Sequence, residues 1–128
     1  MACPAYAAKE YGNIIVSRVG TVIDGDSFKV DIDSWPEIAG KGITVRINGI
    51  DTPELRGKCE AEKQLARKAK QFAVEALRSA KVVELRNMKR GKYFRIVADV
   101  YLDNKSLGDL LVINKIAFVY GNKFNCSS

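Results

Sequence analysis

Arg46-Ile47-Asn48-Gly49-Ile50-Asp51-Thr52-Pro53-Glu54 reads as a strand that breaks into a turn. Just upstream the pattern is already set: Ile43, Val45 and Ile47 alternate with Thr44, Arg46 and Asn48. That is the period of a half-buried strand, with one face in a core and Arg46 on the other. Pro53 ends the strand and holds Thr52 extended. The turn carries two carboxylates, Asp51 and Glu54. Two outlying stretches could complement it, Asp24-Gly25-Asp26 upstream and Arg95 downstream.

Working outward, Asn13 to Ile23 is rich in Ile and Val and reads as a strand bent at Gly20. Asp24-Gly25 is a hairpin signal. Phe28, Val30 and Ile32 then alternate with Lys29, Asp31 and Asp33, and Ser34 to Gly42 is a loop around Pro36. Leu55 to Cys59 is a polar connection. From Glu60 to Ala80 the period lengthens, so that Leu65, Ala69, Phe72, Ala73, Ala76, Leu77 and Ala80 share one helical face. Glu60 and Glu62 at its start, with Arg78 and Lys81 at its end, suit the helix dipole. Val82 to Arg86 is a short strand, Asn87 to Lys92 a basic loop and Phe94 to Leu102 a strand. Ser106 caps a short helix reaching Ile113, with Asp109 at the third position. Ile116 to Tyr120 is a last apolar piece.

Three strands, a long helix, two strands and a short helix describe a mainly β domain. The expected architecture is a five-stranded OB-fold Greek-key barrel carrying one long and one short helix; an α+β open sheet is the alternative. Residues 1–12 read as an arm, 13–120 as the domain and 121–128 as a polar tail.

The chain has 128 residues, 47% of them apolar, enough for one core. Its net charge of +6 favours polyanionic partners. It contains no histidine, which excludes a Ser-His-Asp triad, a histidine base and histidine-ligated zinc. Hydrolysis would have to run on carboxylates, arginines, lysines, tyrosines or a hard metal. Cys3, Cys59 and Cys126 form no C-x-x-C pair. Two of them could form one disulfide, or all three could be free thiols. A Cys59–Cys3 bridge would tie down the arm and point to an exported protein. Residues 1–12 lack the basic start and apolar run of a signal peptide, and no segment approaches a membrane span. If a signal was removed before residue 1, the protein is expected to be secreted or periplasmic.

Taken singly, Asp24, Asp26 and Asp51 are ordinary turn residues, and Glu54, Arg46 and Arg95 ordinary polar-face residues. Together they suit one chemistry. Hard divalent cations take oxygen ligands, arginine grips two phosphate oxygens at once, and a carboxylate can orient or deprotonate water. At these residues the chain resembles the staphylococcal nuclease (thermonuclease) family. The resemblance rests on Val22-Ile23-Asp24-Gly25-Asp26-Ser27-Phe28-Lys29-Val30, on Val45 to Glu54, on Lys92-Tyr93-Phe94-Arg95, and on Tyr101 to Ala117.

The resemblance implies an OB-fold enzyme that cleaves DNA and RNA, single-stranded or frayed, with one Ca2+ ion, leaving 3′-phosphates. It implies Asp26, Asp51 and the Thr52 backbone carbonyl as metal ligands, with Asp24 supporting them from behind. Glu54 would act on the attacking water, and Arg46 and Arg95 on the scissile phosphate. Lys92 and Tyr93 would meet a neighbouring phosphate, and Phe118 and Tyr120 would line the base and sugar pocket. Phe94 and Lys115 stand where the family has glycine, so a strained backbone is expected at both. A non-catalytic nucleic-acid-binding barrel, held by charge and by stacking on Tyr93, Phe118 and Tyr120, is the second reading; a peptide-binding module is the third, and the single Trp, Trp35 in a loop, does not supply the aromatic cage it would need. A monomer without a membrane partner is expected.

Overall fold

The computed structural model describes residues 10–122 and 124–126, the side chain of Tyr93 excepted. The expected N-terminal arm therefore lies mostly outside the described residues. Five strands have five residues or more: β2 (Arg18–Asp24), β3 (Ser27–Asp31), β4 (Ile43–Ile47), β6 (Val83–Arg90) and β7 (Ile96–Leu102). Four short ones join them: β1 (Ile14–Ile15), β5 (Ile50–Asp51), β8 (Lys105–Ser106) and β9 (Phe118–Val119). The main sheet runs β1-β6-β7-β4-β3-β2, with β8 on β7, while β5 pairs with β9. All pairings are antiparallel except β4 with β7.

The sheet curls because one short passage of chain joins both of its ends. The Val16 amide donates to Val83 O on β6 at 2.8 Å, and the Ser17 amide donates to Asp31 O on β3 at 2.9 Å. The register shift between Val19 and Val22 provides the bend expected near Gly20. Inward alternation builds the core from Phe28, Val30, Val45, Ile47, Leu85 and Val100. The long helix α2 (Glu60–Ser79) buries Ala66, Ala69, Ala73 and Leu77 on one face. Its small alanines let it lie close to the sheet. The short helix α3 (Leu107–Ile113) buries Leu107 and Leu111, and its cap is the expected one: Ser106 Oγ accepts from the Asp109 amide at 3.2 Å. A mainly β, curled OB-like fold with a long and a short helix is thus present.

Three local expectations change. A single-turn helix, α1 (Glu37–Gly40), follows Pro36 inside the expected loop. The basic stretch Asn87–Arg90 belongs to β6 and is no loop; Asn87 takes a positive φ of 54° where the register shifts, which breaks the alternation. The chain before Ile96 is a 3-10 turn (Lys92–Phe94) instead of the beginning of a strand.

The two glycine replacements behave as the sequence suggests. Phe94 and Lys115 both have φ of 61°. Lys115 closes a Schellman motif, with Lys115 N–H donating to Val112 O at 3.0 Å and Ile116 N–H to Leu111 O at 3.1 Å. A side chain in that conformation costs about 1 kcal/mol. Lys115→Gly is therefore expected to stabilise the fold by about that amount. A chemical-denaturation midpoint that stays put or falls would show that the lysine side chain contributes something glycine cannot.

Candidate active site

The turn at Gly25-Asp26 must pack hard against the rest of the molecule. A Cβ on Gly25 would lie 2.8 Å from Ala69 Cβ and 2.9 Å from Thr52 Cγ2. Gly25 is needed for this close approach to α2 and to the Thr52 turn, not for a left-handed φ. The packing pins Asp26, only 8% exposed, beside the Asp51–Glu54 stretch. Asp26 Oδ2 accepts from the Thr52 amide at 3.3 Å, and Oδ1 accepts from Ser27 Oγ at 3.1 Å. The Asp26 carbonyl accepts from the Ile47 amide at 2.9 Å.

Arg46 on β4 points into the same place. Its Nη1 donates to the carbonyls of Ile47 and Ile50, each at 3.1 Å. Its Nη2 is ion-paired with Asp51 and lies 3.6 Å from Asp26 Oδ2. The guanidinium is thus a positive charge that these two carboxylates share. The parallel pairing of β4 with β7, Val45 beside Ile96, brings in Arg95 from the residue before β7. Despite the strained Phe94, Arg95 is extended (φ −79°, ψ 148°) and lines the groove.

This groove, about 990 Å³, gathers Asp24, Asp26, Arg46, Asp51, Thr52 and Glu54 with Arg95, Phe118 and Tyr120. Tyr120 is tied in through its amide to Gly49 O at 2.9 Å, and Phe118 lies opposite Asp51 in the β5–β9 pair. Lys92 is on the 3-10 turn and does not line the groove; the Tyr93 side chain lies outside the described residues. Asp24, Asp26 and Asp51 do not bring three carboxylate oxygens within 4.8 Å of one another.

The electrostatics fit a divalent cation. Among the described lining residues, five carboxylates (Asp24, Asp26, Asp51, Glu54, Glu62) face three cations (Arg46, Lys58, Arg95), a local charge of −2 in a chain of net +6. Burial, then the adjacent Asp26 charge, raise the Asp24 carboxyl above its ordinary 3.8, partly countered by Lys70. A raised carboxyl opposes folding at pH values above the unfolded value of 3.8 and stops doing so as pH falls below it. Asp24→Asn is thus expected to raise the thermal midpoint of metal-free protein at neutral pH and to leave it unchanged near about pH 3. A midpoint that does not rise at neutral pH would show that the charge is already compensated.

Several groove residues carry no sign of a functional role in the sequence. Glu62, expected only to suit the helix dipole, accepts from the amides of Glu54 (3.3 Å) and Lys58 (3.1 Å), so the first turn of α2 holds the loop that carries Glu54. Its place three residues after Cys59, the residue at the N-cap of α2, is the available signal. The far wall is formed by Gly121, Asn122, Phe124, Asn125 and Cys126. A disulfide pins it: Cys59 pairs with Cys126, Cα–Cα 5.9 Å, and not with Cys3, which lies outside the described residues.

The chain belongs to the staphylococcal nuclease family: the family model described as Staphylococcal nuclease homologue matches residues 44–127. The match contains Arg46, Asp51, Thr52, Glu54 and Arg95, while Asp24 and Asp26 precede it. The chain is also 32% identical over 117 residues to Endonuclease YncB of Bacillus subtilis (strain 168). That alignment covers 88% of this chain and 51% of the relative, so the chain spans about half the length of the curated relative. No helix among the described residues is long and apolar enough to cross a membrane.

Proposed function

We propose that this chain is a calcium-dependent phosphodiesterase that hydrolyses DNA and RNA, single-stranded or frayed, to 3′-phosphate ends. The observation that carries the reading is the gathering of Asp26, Arg46, Asp51, Glu54 and Arg95 from three separate stretches into one groove. The family and the name of the endonuclease relative support the nuclease part of it.

Asp26, Asp51 and the Thr52 carbonyl would hold the cation, an all-oxygen set suited to calcium. When bound, the ion neutralises the acidic excess of the groove and polarises a phosphate oxygen. Arg46 and Arg95 grip the phosphate oxygens, where charge grows as the bond breaks. Glu54 holds the attacking water and takes its proton. Phe118 and Tyr120, which line the groove, offer flat faces to the base and sugar. The Cys59–Cys126 bridge supports a protein working in an oxidising compartment, secreted or periplasmic.

The test is cleavage of single-stranded DNA in calcium and then in a chelator, with the end groups identified. Calcium-dependent cleavage to 3′-phosphates is expected. Salt-sensitive binding without cleavage in saturating calcium would replace this reading with the binding barrel.

Arg46 gives a two-sided prediction. Arg46→Ala is expected to lower turnover by on the order of a hundredfold, with little change in KM. Metal-free Arg46→Ala should bind calcium more tightly than wild type, because the guanidinium no longer competes for Asp51. Titration calorimetry and initial rates check the two halves; a change in KM alone would make Arg46 a positioning residue.

A further inference from the structure

A second groove, about 720 Å³, lies beside the first and shares Arg95 with it. Its charge is opposite. Lys41, Lys89, Arg90 and Arg95 line it, and no described lining residue is acidic. Its apolar content is also out of place on a solvent-facing surface. Ile38 is 99% exposed and Phe94 96% exposed, and both border it together with half-buried Trp35.

Phe94 is held there at a cost. Its φ of 61° is a conformation that glycine adopts freely and other residues adopt only under strain. The ring gains little from packing in return, being almost wholly in solvent. Backbone strain with no compensating packing is concentrated at ligand-binding sites.

A ligand that suits the groove alternates negative charge with flat apolar surface and continues out of the catalytic groove past Arg95. Single-stranded nucleic acid has both properties: bases stack on aromatic rings, and phosphates pair with lysine and arginine. An apolar peptide would cover Ile38 and Phe94 but leave the cations without a counter-charge.

We propose that this groove is an extension site for the single-stranded part of the substrate beyond the cleaved bond. Phe94 and Trp35 stack its bases, and Lys41, Lys89 and Arg90 hold its phosphates. The path of the strand rests on the nuclease reading, but the groove should bind oligonucleotide whether or not cleavage occurs.

The experiment compares a short oligonucleotide that fills only the catalytic groove with one of about twelve nucleotides, a length within the range of single-strand sites on such barrels. Phe94→Gly removes the ring and relieves the backbone, so loss of folding does not confuse the result. It should raise KM for the long substrate about tenfold, since one stacked base contributes on the order of 1–3 kcal/mol, and leave kcat and the short substrate unchanged. Lys89→Ala with Arg90→Ala should lower the slope of log affinity against log salt by about 1.4, roughly 0.7 for each phosphate no longer neutralised.

Binding of both lengths is measured in chelator by fluorescence anisotropy. Wild type that cleaves, with variants that bind and cleave the long substrate as wild type does, overturns the extension site and leaves the nuclease standing. Equal weakening for short and long substrates also overturns it. Wild type that does not cleave, but loses long-oligonucleotide binding on Phe94→Gly, sinks the nuclease and keeps the groove. Long-substrate binding that no variant affects would overturn the extension site and leave a protein partner as the groove's occupant.

Discussion

Glu54→Gln is expected to reduce turnover on single-stranded DNA by on the order of a hundredfold or more, without loss of folded protein. The side chain is exposed in the groove and accepts no hydrogen bond from the described residues, so it carries none of the fold. What fixes its position is backbone: the Glu54 amide is bound to Glu62, and the Glu54 carbonyl accepts from the Gly57 amide at 2.9 Å. Glutamine keeps both contacts and nearly the same volume. It removes only the negative charge that could orient water or receive its proton. The thermal midpoint should therefore be unchanged while kcat falls and KM moves little. Equal rates in mutant and wild type would take Glu54 out of the mechanism. A fall in rate accompanied by a lower midpoint would show instead that the loop had moved.

The second large effect concerns the bridge. Cys59 and Cys126 are 67 residues apart in sequence. Loop-closure entropy for that separation is on the order of 4 kcal/mol. The full value needs both ends to stay in place in the folded protein without the bond. Gly121 and Asn122 follow β9 through a turn, with Asn122 N–H donating to Val119 O at 3.0 Å, so some order at this end of the chain goes with the bridge. Cys126→Ser is therefore expected to cost about 2–3 kcal/mol of unfolding free energy. KM for oligonucleotides should rise as well, because the released segment forms one wall of the groove. Denaturant titrations of wild type with and without reductant should reproduce the mutant. A drop below about 1 kcal/mol would mean that the crosslink constrains little of the unfolded chain.

The sequence is most readable where a residue's surroundings are set by its near neighbours. Strict alternation at Phe28-Val30-Ile32 and Ile43-Val45-Ile47 locates two core strands, and the alanine-rich face of α2 is evident from its spacing. The Ser106 cap is a contact over three residues. The same locality explains the failures. Asn87 turns left-handed and shifts the register, so β6 looks like a strand followed by a basic loop. The partner of Cys59 depends on where residue 126 lies in space, and no spacing rule contains that. For the groove, residue types raise the possibility of a shared place, but the placement itself comes from Gly25 packed on Ala69 and from the β4–β7 pairing. Lys92, on the 3-10 turn, is not among the groove-lining residues.

That parallel pairing also bears on how the site comes into being. Val45 meets Ile96 only after α2 and β6, which lie between them in the chain, have been accommodated. Parallel seams of this span form slowly, since a long loop must be closed before any contact rewards it. Arg46 and Arg95 sit on the two sides of that seam, and the aromatic wall comes from β9, further along the chain. No short contiguous fragment of the chain contains the constellation. The groove depends on long-range pairings, β4 with β7 and β5 with β9, so a nascent or partly unfolded molecule that lacks them would hold these residues without holding them together.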